Sequence, residues 1–342
     1  MRLLIILYML FCQFIHCVKE NEEVVEVDST GGSSSLLNPN HLSIIDKIEL
    51  HNFWESLYSN QLVISLLKDY FAYVLKDVAV NVKTIEIHSV FNNTLLDQNE
   101  RKANPDKLYI QFSGESYYNS PSLYDISLIP ALPSNNPTSI VISFMFGGQH
   151  LYIHKLWDPL YTKRNAITKK ASKFACFIVS NPIPEDRINF YNILSNVYEK
   201  KIDSCGQYGN NIGYLPPPID TKEYYEFLSQ YKFMICFENK QQDYYFTEKL
   251  INAYIGKTIP IYWGCPQLPE FININAIVYI PSTSEEDISM AIQRIIELDN
   301  NHEKYKEVFE QPLFLGSSLP AVIDKDAIRG KINDAYKIRK IN

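Results

Sequence analysis

Two runs of short apolar strands alternating with amphipathic helices predict an α/β protein made of two Rossmann-like domains facing across a cleft. The length agrees: 342 residues, at roughly 100–200 per domain, fit two domains. Glycine sharpens the class. Only 12 occur, too few to favour a fold built on glycine-rich phosphate loops, and neither GxGxxG nor GxxxxGK(S/T) is present. A hydrophobic content of 46% and a charged content of 21% rule out bulk disorder. The net charge of -7 argues against a general nucleic-acid binder, which needs a basic face.

Met1 and Arg2 precede the apolar run Leu3–Ile15, broken only by Gln13. As a helix that run spans about 20 Å, short of the ~30 Å hydrocarbon core. Residues 1–18 therefore read as a signal peptide or, uncleaved, a short signal anchor with its N-terminus inside. The implied location is the secretory pathway: a type II Golgi membrane protein, a lumenal protein, or a secreted one after cleavage. Residues 19–46, containing DSTGGSSSLLNPN, read as a flexible stem. One sequon occurs, Asn92-Asn93-Thr94. Cys12 and Cys17 belong to the leader. Cys176 and Cys236 lie in apolar runs and read as buried thiols, whereas Cys205 and Cys265 sit near turns. No disulfide framework and no metal-ligand spacing is expected from them.

A first domain is assigned to residues 47–165. Its expected strands are Lys47–Trp54, Val80–His88, Leu108–Phe112 and Ile140–Phe146, with a helix over Leu62–Leu75. A second domain, 166–305, has strands expected at Phe174–Ser180, Phe233–Phe237 and Thr258–Gly264. Helices are expected near Ile188–Glu199, at Lys222–Gln230 and from Thr247 to Ile255, where Gly256 is a natural stop. Ser284 and Asp287 form a capping box for a helix over Glu285–Leu298. Residues 306–342 form a tail whose last part reads as an amphipathic helix with no assigned partner.

In open parallel sheets ligands bind beyond the carboxyl ends of the strands. In the second domain that rule collects Glu238, Asn239, Tyr245, Thr247, Glu248 and Lys249 at one strand exit and the opening of the next helix. Lys249 stands out, because a cation in a first helical turn opposes the helix dipole and points to an anionic ligand. Arg187 occupies the equivalent place in the preceding crossover. The two cations can converge on one diphosphate, Arg by bidentate hydrogen bonds and Lys as a point charge. Against this, a lone Arg or Lys in such a place is usually solvated, Glu238 could cap a loop, and Tyr244 and Tyr245 could simply pack. Their joint placement is what favours a site. Glu115, after the strand Leu108–Phe112, faces the same cleft in this reading and is a candidate general base. Asp97, Glu100 and Asp125 are the other acidic candidates nearby.

The segment Tyr231–Gly264, YKFMICFENKQQDYYFTEKLINAYIGKTIPIYWG, closely resembles the core motif of the α-1,3/4-fucosyltransferases, glycosyltransferase family 10, with FEN, TEK and IPIYWG intact. FACFIVSNPIPEDRINFYNIL, DSCGQYGNNIG, FSGES and IELHNFW extend the likeness over about residues 47–315, strongest beyond about residue 170. The resemblance implies a GT-B-type fold with an acceptor-side first domain and a donor-binding second domain. It implies GDP-fucose as donor, no required cofactor, inversion at the anomeric carbon, and an oligosaccharide or glycoprotein acceptor, with O3 of GlcNAc as the expected target. Glu115 corresponds to the base, Arg187 and Lys249 to the diphosphate clamp, and Glu248 to a ribose-binding acid. Glu238, Asn239, Tyr245 and Thr247 correspond to the donor-site lining. The family usually places a further strand between Val80–His88 and Leu108, where this chain has the polar run FNNTLLDQNERKANPDK.

Three rival readings remain: the same fold with another sugar-nucleotide donor, a non-catalytic glycan-binding relative, and a metal-dependent transferase using an Asp-x-Asp pair. The last would need Asp324-Lys325-Asp326, which reads instead as a solvated helix start.

Overall fold

The computed structural model of the protein describes residues 43–341, apart from 54–57, 59–60, 93–94, 132–135, 143–159, 161–162, 165–170, 220, 271 and 317–318. The leader at 1–18, the stem through residue 42, the ends of the strands expected at Trp54 and Phe146, and two of the three sequon residues lie outside the described residues. The chain divides into two units, one holding the described residues up to 144 together with 321–341, the other residues 145–320.

The N-terminal unit contains β1 (Ile48–His51), α1 (Gln61–Val74), α2 (Lys76–Ala79), β2 (Thr84–His88), α3 (Gln98–Ala103), β3 (Lys107–Phe112), β4 (Ile126–Ile129) and β5 (Ser139–Val141). The strands form one parallel sheet in the order β1-β2-β3-β4-β5. Because side chains alternate across a strand, the register sorts the two faces by chemistry. Leu50, Ile87, Ile110 and Ile126 align on one face, where Phe71 of α1 meets Phe112 edge-on at 5.2 Å. Glu49, His51, Glu86, His88, Tyr109, Gln111 and Ser127 align on the other. There Tyr109 packs with Leu96 and Tyr124.

Two local departures from expectation have simple causes. The strand expected from Val80 begins at Thr84, because residues 76–79 form the short helix α2. The strand β4 was not anticipated; its four residues ISLI are all buried, which leaves no polar alternation to read. The polar run after β2 forms α3, capped by Asp97, whose side chain accepts from the Asn99 N–H at 2.8 Å. β2 pairs directly with β3, so no strand intervenes there.

The C-terminal unit contains β6 (Lys173–Phe177), α4 (Glu185–Val197), β7 (Ile202–Ser204), α5 (Lys222–Leu228), β8 (Tyr231–Phe237), α6 (Glu248–Ile255), β9 (Ile259–Trp263), β10 (Val278–Tyr279), α7 (Glu285–Asn300) and α8 (His302–Phe309). Its parallel sheet runs β10-β9-β8-β6-β7. The chain steps outward from β6 to β7, then crosses back to β8 and continues the other way. Neighbours β6 and β8 therefore mark a topological switch point, where diverging crossovers open a crevice. One face of the sheet, with Phe233, Ile235, Phe237, Ile259 and Ile261, packs on α4, α7 and α8 through Phe190, Leu194, Ile292, Ile295 and Phe309. Half of the expected capping box at α7 forms: the Asp287 N–H donates to Ser284 Oγ at 3.1 Å, but the Ser284 N–H donates to Ser282 Oγ, whose hydroxyl bonds to Asp287 in turn. Cys176, Cys205, Cys236 and Cys265 are buried free thiols.

The chain then returns to the N-terminal unit as α9 (Lys325–Ile341). This amphipathic helix has its partners in α1, α2, β4 and β5. Ile328, Ile332, Ala335 and Tyr336, at helical spacing, are its buried stripe. Arg329 and Asn333 both bond to Asp77 of α2. Asp324 caps α9 by accepting from the Ala327 N–H at 2.8 Å, and Asp326 accepts from Tyr73 Oη. The Asp-x-Asp sequence is thus a helix start. No helix among the described residues is long and apolar enough to cross a membrane.

Candidate functional site

The switch point of the C-terminal unit carries a connected set of charged side chains. β8 ends at Phe237, so Glu238 and Asn239 stand at its carboxyl end. Glu238 is fully buried. Its Oε1 accepts from the Thr247 backbone N–H at 2.7 Å, and its Oε2 accepts from Thr247 Oγ1 at 2.9 Å and from Lys249 Nζ at 3.0 Å. Thr247 is the N-cap of α6, yet its own side chain caps nothing. Glu238 instead anchors the opening of that helix to the end of β8.

Lys249 also donates to Thr247 Oγ1 at 2.8 Å and lies 3.7 Å from Glu248. Burial alone pulls its pKa down, but Glu238 and Glu248 outweigh that, and the net shift is upward despite repulsion from Arg187. The ammonium is therefore held charged at neutral pH. Two of its three protons are used by Glu238 and Thr247.

Arg187 lies in the first turn of α4, after β6, and is only 3% exposed. It donates through Nη2 to Asn239 Oδ1. Burial lowers its pKa, opposed by Glu238, Tyr245 and Glu248, and a guanidinium remains cationic at neutral pH. Its Nε is buried and has no hydrogen-bond partner among the described residues. Leaving such a donor unsatisfied costs on the order of 1–3 kcal/mol, more for a charged group. An anionic ligand would remove that cost. Trp263 Nε1, at the end of β9, is likewise buried and unpartnered.

Arg187, Glu238, Asn239, Thr247, Glu248 and Lys249 are thus brought together as the strand-exit rule expects. Tyr245 is only 2% exposed, and its carbonyl lies 3.5 Å from Tyr262 Oη. It and Glu238 support the cluster from beneath and have almost no surface of their own. Glu115 belongs to the N-terminal unit, on the loop after β3, half-buried, with its N–H donating to Ser113 Oγ at 3.2 Å. The other acidic candidates are occupied or exposed. Asp125 is bound by Arg101 and Arg339, Asp97 caps α3, and Glu100 sits exposed in its first turn.

One functional position was not anticipated. Gly264 follows β9 with φ +149°, and a Cβ there would lie 2.5–2.6 Å from the Glu238 side chain. Only glycine lets the β9 exit pass this close to the buried carboxylate. The signal was the final Gly of IPIYWG, which the sequence alone cannot tell from an ordinary strand stop.

Residues 168–311 match the family model for the C-terminal part of glycosyltransferase family 10 (fucosyltransferase). The matched residues contain the whole charged cluster. The chain is 38% identical over 141 residues to the α-(1,3)-fucosyltransferase FucT of Helicobacter pylori, covering 41% of this chain and 28% of that one. A putative fucosyltransferase, R654, of Acanthamoeba polyphaga mimivirus is 27% identical over 223 residues, 62% of this chain and 34% of the relative. The chain thus spans about a third of the length of these curated relatives. Among solved structures, an α1,3-fucosyltransferase with GDP-fucose aligns over 94% of both chains with a TM-score of 0.60 and 21% identity. A second α1,3-fucosyltransferase structure aligns over 85% of this chain and 89% of the other, with a TM-score of 0.60 and 22% identity. Two parallel α/β sheets in this arrangement are the GT-B-type fold.

Proposed function

We propose that the protein is an inverting fucosyltransferase that moves fucose from GDP-fucose to a glycan hydroxyl, with O3 of GlcNAc as the target. The observation that carries this reading is the pair of cations at the β6/β8 switch point. Arg187, buried with an unpartnered Nε, and Lys249, held charged by Glu238, stand where the fold binds ligands. A diphosphate would supply a partner for the guanidinium of Arg187 and for the ammonium proton of Lys249 that Glu238 and Thr247 leave unused.

In the proposed reaction the acceptor oxygen attacks the anomeric carbon of fucose as the bond to the diphosphate oxygen breaks. The acceptor proton passes to the Glu115 carboxylate. Arg187 and Lys249 stabilise the charge that grows on the departing GDP, a task metal ions perform in other transferases. Glu248 binds the ribose. Glu238 holds Lys249 and the start of α6, and Asn239 holds Arg187.

The test is incubation of residues 41–342 with labelled GDP-fucose and a panel of N-glycan and lactosamine acceptors. Label on GlcNAc O3, insensitive to EDTA, is the expected result. Thermal stabilisation by GDP without transfer to any acceptor would favour a non-catalytic glycan-binding relative. Stabilisation by UDP in place of GDP would favour another donor.

A further inference from the structure

Three side chains at the carboxyl edge of the N-terminal sheet play no part in the reaction above. His51 is the last residue of β1, His88 is the last residue of β2, and the two are direct neighbours in the parallel register. Glu86 lies two residues before His88 and therefore on the same face. The imidazoles stack with centroids 4.7 Å apart and planes inclined by 14°. Glu86 Oε2 is 3.2 Å from His88 Nε2 and 3.9 Å from His51 Nε2. One donor atom from each of the three residues lies within 4.8 Å of the others.

The hydrogen bonding around this triad is incomplete. His51 Nε2 and His88 Nδ1 are buried without hydrogen-bond partners among the described residues. The second oxygen of Glu86 is taken by Lys107 Nζ at 2.6 Å. Oε2 of Glu86 therefore faces the two rings, and Glu49 Oε2 stands 3.6 Å from His51 Nε2. Two imidazoles and one carboxylate converge as a ligand set for a borderline-soft divalent cation. Hard cations such as Mg²⁺ and Ca²⁺ prefer an all-oxygen shell.

We propose that His51, Glu86 and His88 bind a divalent transition-metal ion of the Zn²⁺ or Co²⁺ class, with at least one coordination position left open. The distances are compatible with this. A tetrahedron with ~2.0 Å bonds has edges of about 3.3 Å, and the Glu86–His88 separation of 3.2 Å already matches. Only His51 has to move inward. Its side chain is 39% exposed, so it has room to turn and leaves an entry path for the ion. Lys107 orients Glu86 from behind, as outer partners do for ligating carboxylates. The chain separation of 35 residues between His51 and Glu86 explains why no local ligand spacing marked the site; the parallel register assembles it. All three residues belong to the N-terminal unit, so the site is tested by metal binding and not by transfer.

The test is titration of metal-free, tag-free full-length chain with Co²⁺, followed by absorption, and with Zn²⁺, followed by calorimetry. One equivalent is expected to bind, with a Co²⁺ d–d band. His51→Ala should weaken binding at least about tenfold, while His302→Ala, on α8 of the other unit, leaves it unchanged. Should His51→Ala fail to fold by circular dichroism, X-ray absorption of Zn²⁺-loaded wild type decides. Imidazole scattering supports the site and an all-oxygen shell overturns it. Absence of binding at hundreds of micromolar metal, or binding that a folded His51→Ala retains in full, also overturns it.

Discussion

The two sheets are made of similar short parallel strands, yet they present their polar groups in different ways. In the C-terminal unit the strand order reverses between β6 and β8, and the charged residues sit in the crossovers just beyond the strands. In the N-terminal unit the order runs β1 to β5 without reversal, and polar residues line one face of the strands themselves, from Glu86 and His88 to Gln111 and Ser127. Reversal opens a crevice lined by loops and helix starts, suited to a ligand with an anionic group. An unbroken order instead aligns side chains in register, suited to a compact cluster such as His51, Glu86 and His88. The same fold class therefore offers two kinds of polar arrangement, and strand order decides which.

The largest expected effect tests the crevice. Lys249→Ala should lower kcat at least about 10²–10³-fold, equivalent to the ~2.7–4 kcal/mol lost with one preorganised charged contact, while circular dichroism shows a folded chain. Near-normal transfer by that variant would sink the assignment of Lys249 to the leaving group. Gly264→Ala sharpens the same point without removing a charge. The added methyl forces Glu238 from its place beneath Lys249, so kcat should fall while GDP still binds. A variant with unaltered kcat would mean that Glu238 does not position Lys249.

A second effect separates the units. Ile332 is fully buried on α9. Ile332→Ala should destabilise the N-terminal unit by about 2–5 kcal/mol through lost burial and a cavity. GDP affinity, which belongs to the other sheet, should be unchanged in the folded protein. A parallel loss of GDP affinity would break the separation drawn between the two sheets.

Much of this was legible in the residues. Strand and helix alternation located β3, β6, β8 and β9 to within a few residues, because each is a buried apolar run bounded by polar turns. The charged cluster was legible because one rule, ligand binding at strand ends, needs only the strand positions. Three things were not. The short strands β4, β7 and β10 carry too few residues to show a period. The partner of α9 is fixed by a return of the chain across the sequence, to Asp77 and Tyr73. The His51–Glu86–His88 cluster depends on register between two strands, which no local spacing reveals.

The smallest effect compares the two ends of β8, which each carry a lysine–carboxylate pair. At the exit, Lys249 and Glu238 serve the site. At the entrance, Lys232 donates to Asp299 Oδ1 at 2.6 Å, and Tyr198 donates to Asp299 Oδ2 at 2.6 Å. Burial pushes the Asp299 carboxyl up from its ordinary 3.8, but the bonds from Lys232 and Tyr198 outweigh it and the net shift is downward. A carboxyl with a depressed folded-state pKa contributes stability that is fully present above its unfolded value, about 3.9. That contribution is lost as the pH falls through the lower, folded value. Wild type should therefore lose stability steeply below about pH 4, and Asp299→Asn should flatten that acid limb. At pH 7 the variant should be less stable by on the order of 2 kcal/mol, the worth of a hydrogen bond to a charged group, with kcat unchanged. Denaturant melts at pH 3 to 7 measure both. An acid limb as steep in Asp299→Asn as in wild type would show that this carboxylate does not stabilise the entrance of β8, and a drop in kcat would show that the two ends of the strand are not functionally separate.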